Sequence, residues 1–178
     1  IVREAVREIG YTHNDDVFHA DSVFITNLLT KQSPDIAQGV DADGNAKDEG
    51  AGDQGLMFGY ACRETDVLMP AALHYSHEIL RRMAEARHAG KLPGIGPDSK
   101  SQVTLEFVDG RPIRAASIVV STQHTENLSQ ADVRELVRPF VLSVLPDASW
   151  MPGEGDFYVN PTGRFVIGGP MGDAGVTG

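Results

Sequence analysis

In GAGDQGLMFGY, residues 50–60, an acid and an amide, Asp53 and Gln54, sit among glycines before the chain turns apolar. Glycine loses the most backbone entropy on folding, so such a cluster marks a place where bare backbone is needed. A second glycine-framed acid lies in NPTGRFVIGGPMGDAGVTG, residues 160–178, where Gly168, Gly169, Gly172 and Gly175 surround Asp173. Ahead of it, Arg164 and Phe165 offer a guanidinium and an aromatic face, a pair suited to an adenine ring. A core phenylalanine beside a surface arginine is the plainer reading. The third stretch is GIGPDSKSQV, residues 94–103. Its glycine and lysine are not spaced as a Walker phosphate loop requires. Lys100 could still meet a phosphate as a point charge from a strand start, and the oxygens of Asp98 suit sugar hydroxyls. A turn with a solvated ion pair is the alternative.

Covalent catalysis has little support. Cys62 has no evident histidine partner, and no Gly-x-Ser-x-Gly elbow occurs. His74 and His77 share a helical spacing that could hold a metal, but no known carboxylate–histidine motif surrounds them, so surface or core histidines are the expectation. A reaction in which the protein positions charged reactants is favoured.

At 178 residues the chain suffices for one mid-sized domain or two small ones. With 41% hydrophobic and 22% charged residues it has an ordinary globular composition. The net charge of −10 argues against a general nucleic-acid binder, which must neutralise a run of phosphates, and leaves room for a local basic site for one small polyanion. No apolar run approaches the length needed to span a bilayer. A single cysteine points to a reducing compartment. The sequence opens inside an apparent helix and stops after a glycine-rich run, so both ends are expected to be cut from something longer.

The elements that must position these residues follow from patterning. Residues 1–9 read as a helix ended by Gly10, and VFHADSVFIT, 17–26, as a strand. Residues 31–50 lack apolar periodicity and read as a linker or a lid. A helix runs from Pro70 toward Gly90, with Leu73, Ile79, Leu80 and Met83 as its buried face. QVTLEFV, Asp-Gly and RPIRAASIVVS form a hairpin. Ser129 caps a helix whose apolar face is Val133, Leu136, Val137, Phe140, Val141 and Val144. FYVN, an NPTG turn and RFVIGG read as a second hairpin. The class is α+β, an antiparallel sheet with helices on one face; a Rossmann sheet fits poorly, because hairpins outnumber crossovers.

Taken together, GAGDQG, the DSK of 98–100, STQH at 121–124, KQSPDI and GGPMGDAG resemble S-adenosylmethionine synthetase, in the right order along the whole chain. The resemblance implies repeated α+β domains with pseudo-threefold symmetry, here incomplete. Residues 1–36 would end the N-terminal domain, 32–48 form a mobile gating loop, 49–167 the middle domain and 168–178 the start of the C-terminal one. It implies attack of the methionine sulfur on the ribose 5′ carbon of ATP, releasing tripolyphosphate that is hydrolysed to diphosphate and phosphate. By matching position, Lys100 and Asp53 are the implied catalytic residues. Asp98, Ser99, Lys100, Arg164, Phe165 and Asp173 are implied to bind ATP, and Gln32, Asp53 and Asp173 methionine. Mg²⁺ and K⁺ are implied cofactors whose ligands are expected outside this sequence. A cytoplasmic homodimer or homotetramer with sites at the dimer interface, binding neither nucleic acid nor membrane, completes the expectation. The alternative is a catalytically inactive fragment, or a regulatory or interaction paralogue of the same family, although the site residues open to inspection are intact.

Overall fold

The computed structural model describes residues 1–13, 16–42 and 49–173. They form two compact units, one of Ile1–Val23 with Ala61–Gly178 and one of Phe24–Tyr60.

The larger unit is built on a three-stranded sheet, β1 (Ile95–Val108), β2 (Arg111–His124) and β3 (Phe157–Val159), with β2 in the middle. Asp109 and Gly110 both take positive φ, 49° and 72°, the conformation a tight hairpin turn needs to match strand twist. This turn sets the antiparallel register, with Val108 opposite Arg111 and Lys100 opposite Ser121. At the far end Ile95 pairs with His124 but Ser99 with Thr122, so Gly96, Pro97 and Asp98 bulge out of the ladder. Pro97, which has no N–H to donate, is tolerated at such a break.

Two helices cover one face, α3 (Ala71–His88) and α4 (Gln130–Val144), numbered after α1 (Val2–Ile9) and α2 (Pro34–Val40). Ala71, Tyr75, Ile79 and Met83 of α3 and Val133, Val137 and Val141 of α4 bury against Val103, Ile118, Val120, Phe157 and Val159 of the sheet. Each fully buried valine or isoleucine is worth about 1.5–3 kcal/mol. A capping box starts α4: Ser129 Oγ accepts from the Asp132 amide at 3.2 Å, and Asp132 Oδ2 accepts from the Ser129 amide at 2.8 Å. A satellite cluster of Val6, Tyr11 and Ala20, with Phe18 at its edge, holds the first segment of the unit.

Several expectations need correction. Residues 17–26 form no strand: their β-forming side chains find no neighbouring strand to pair with. The second hairpin is absent. β3 pairs parallel to β2, Ile118 opposite Phe157, so the sheet is mixed, and the chain after Val159 leaves the ladder instead of returning along it. Leu73 is 40% exposed; Ala71 and Tyr75 take the buried stripe in its place.

The smaller unit contains α2, which has Pro34 in its first turn and no buried residue. A helix thus occupies part of the stretch expected to be loop; of the expected gating loop, residues 43–48 lie outside the described residues. The amide of Gly50 donates to the Val40 carbonyl at 2.8 Å, and a Cβ on Gly50 would stand 2.4 Å from the Gly39 carbonyl oxygen. The first glycine of GAGDQG is therefore required by this contact.

Candidate active site

Asp98 projects from the bulge of β1, and its Oδ2 accepts a 2.7 Å hydrogen bond from the backbone amide of Gly169. That bond joins DSK to the distant IGGPMG turn. The joint leaves no room for side chains: a Cβ on Gly168 would stand 3.0 Å from both Asp98 Oδ2 and Phe165 Cε2. Gly169 has φ +65°, and a Cβ there would stand 2.2 Å from Tyr11 Oη. Tyr11 is buried beside this acid, and burial first, then the charge of Asp98, pushes its phenol pKa up.

Two residues on, Lys100 lies further inside β1 than the expected strand start. Its Nζ stands 3.4 Å from Asp173 Oδ2, both side chains about half exposed. A pair this open contributes little to stability, so both groups stay available to a ligand.

Ser99 does not join this cluster. Strand alternation sends it to the helix-facing side, where its hydroxyl lies 2.7 Å from Thr122 Oγ1, and Thr122 is fully buried. On that side a cavity of about 150 Å³ opens between α3 and the start of β1, lined by Leu80, Met83, Arg87, Pro97 and Ser99 among others.

Arg164 is exposed and ion-paired with Glu126. Phe165 is held by its backbone. The amide of His124 donates to the Phe165 carbonyl at 2.9 Å, and the Phe165 amide donates to His124 Nε2 at 3.1 Å. Gln123 Nε2 reaches the Val166 carbonyl at 3.1 Å. The preceding turn hangs on Asn160, whose buried amide side chain accepts from the Thr122 amide at 2.8 Å and donates to the Thr122 carbonyl at 3.0 Å, extending the β2–β3 ladder by one side chain. Tyr11, Gln123, His124 and Asn160 were given no role from the sequence, although STQH and NPTG contain three of them.

Gln32 and Asp53 belong to the smaller unit and are exposed. Gln32 Oε1 accepts from the Ser33 amide at 2.9 Å, and Asp53 Oδ1 from the Gln54 amide at 2.7 Å. Gly175 lies outside the described residues. Among the described residues no three histidine, cysteine or acidic side chains gather where a metal could be held, and no helix is long and apolar enough to cross a membrane.

The sequence model of "S-adenosylmethionine synthetase, central domain" matches residues 48–165. An S-adenosylmethionine synthase of Paramagnetospirillum magneticum is 64% identical over 178 residues, all of this chain and 45% of that relative. One from Rhodospirillum centenum is 62% identical over the same length, and S-adenosylmethionine synthase 2 of Rhodospirillum rubrum is 63% identical. The chain thus spans less than half the length of these curated relatives. With more than half of its residues matched by that model, the chain belongs to the S-adenosylmethionine synthetase family.

Proposed function

We propose that the chain is the central part of a methionine adenosyltransferase, which forms S-adenosylmethionine from ATP and L-methionine. The observation that carries this reading is the joint of Asp98 to Gly169 beside the Lys100–Asp173 pair, which gathers two charged, glycine-framed stretches 71 and 73 residues apart into one exposed cluster. Residues 1–36, 49–167 and 168–178 are assigned to the end of the first, the middle and the start of the last of three repeated domains, and 32–48 to a gate. Assembly as a dimer or tetramer with shared sites, in the cytoplasm, belongs to the same proposal.

A thioether sulfur is a neutral nucleophile with no proton to lose, so the chain's task is to align it with the ribose 5′ carbon and to receive the charge that leaves. Lys100 meets the triphosphate, whose charge grows as the carbon–oxygen bond breaks. Asp98, fixed by the Gly169 amide, faces the ribose hydroxyls. Phe165 stacks on the adenine with Arg164 at its edge. Asp173 exchanges Lys100 for substrate when ATP arrives, and with Gln32 and Asp53 contacts methionine. Mg²⁺ and K⁺ are the expected cofactors, with their ligands expected outside this sequence; among the described residues no three histidine, cysteine or acidic side chains gather to hold a metal ion.

The test is to join this sequence to the flanking segments of the Paramagnetospirillum magneticum relative and assay the product with ATP, methionine, Mg²⁺ and K⁺. Steady S-adenosylmethionine formation is expected, and Lys100→Met should raise the barrier by about 2–4 kcal/mol, seen in kcat. No product from the unsubstituted protein, or an unchanged kcat in the variant, would refute the assignment.

A further inference from the structure

The hydrogen bonds around His124 fix which of its ring nitrogens carries the proton. The Phe165 amide can only donate, so Nε2, 3.1 Å away, must accept and is bare. Nδ1, 2.9 Å from the Thr125 carbonyl, must then donate. The imidazole is neutral, in its Nδ1–H form, and both nitrogens are used. His124 is only 4% exposed, and its own amide binds the Phe165 carbonyl at 2.9 Å. Backbone and side chain of one residue therefore hold both polar groups of Phe165, a two-point clamp at the end of β2. Gly168 leaves the Phe165 ring within 3.0 Å of where a Cβ would be, beside Asp98, so the clamped ring borders the acid.

From this geometry we infer that His124 is the positioning residue for the adenine-stacking face of Phe165, acting through the Phe165 backbone without touching the nucleotide. The inference rests on the proposed adenine role of Phe165. A ring whose backbone is clamped is preorganised, and losing the clamp loosens substrate binding while leaving alone the groups that meet the leaving charge.

The protein of full family length, made as above, carries the test in three variants. Phe165→Ala should raise KM for ATP about 5- to 150-fold, as loss of one stacking contact does. His124→Leu, which removes both ring bonds, should raise it about tenfold with kcat within about twofold and KM for methionine unmoved. His124→Gln keeps an acceptor for the Phe165 amide and should recover most of the loss. It also guards against a leucine variant that fails to fold. Nitrogen-15 shifts of the ring should report the Nδ1–H tautomer. Phe165→Ala without effect on KM for ATP would overturn the adenine reading and the inference with it. A clear Phe165→Ala effect beside an unaltered His124→Leu, an Nε2–H tautomer, or equal losses in His124→Leu and His124→Gln would overturn the inference alone.

Discussion

At Gly169 a backbone amide reaches the Asp98 carboxylate while φ stands at +65° and Tyr11 Oη fills the space a side chain would take. Gly169→Ala must bear a left-handed alanine and push against a buried ring at once. It should destabilise the protein by about 1–3 kcal/mol in urea unfolding, at the upper end because the ring it meets is buried. Gly163→Ala, at φ +99° with nothing within 4 Å of its Cβ, should cost less. Equal losses would mean that the Tyr11 contact does not constrain the turn. The candidacy of Asp98, Lys100 and Asp173 was legible from residue type and glycine framing. So was the position of Ser99, had strand alternation been applied through the DSK triplet. The roles of His124 and Asn160 were not legible, because their partners lie 41 and 38 residues away and are backbone groups, which leave no mark on side-chain pattern.

Among the elements, β3 is the least self-sufficient: a three-residue strand held by what surrounds it. Arg134 reaches the Phe157 carbonyl, and the guanidiniums of Arg134 and Arg138 lie 4.7 and 5.1 Å from the Phe157 ring centre. Glu154 ties both arginines down, at 2.8 Å each. The hydrogen bond from Arg138, then that from Arg134, pulls the Glu154 carboxyl from 4.5 to about 2. A carboxyl lowered on folding stabilises the native state above its unfolded value and loses that contribution as pH falls. Wild type should thus lose stability relative to Glu154→Gln between pH 4.5 and about 2, and the two should run parallel above that window. Parallel curves throughout would mean that the pair is not maintained in solution. The hairpin and the capped helix were readable because Asp-Gly and Ser129–Asp132 act within a few residues. β3 was misassigned because nothing local distinguishes a strand that returns along its neighbour from one that arrives beside another. Residues 17–26 show the reverse error, β-forming residues with no strand to pair against.

For the molecule as a whole, chain order carries weight. The β1–β2 hairpin closes across two turn residues, whereas Asn160 joins Thr122 from 38 residues away, with all of α4 between. Closing that longer loop costs more entropy before any contact repays it. Everything proposed to hold the adenine follows β3 and hangs from Asn160 and His124. The parallel pairing therefore has an expected consequence in time: during folding the hairpin and its helices should come first, and the turn proposed to face the nucleotide should dock last, onto a finished platform. Pulse-labelled hydrogen exchange during refolding should find the amides of Val103 and Ile118 protected before that of Phe165. Simultaneous protection would mean that site and platform form in a single step. A newly made chain would hold its folded core before the turn proposed to meet the adenine is in place.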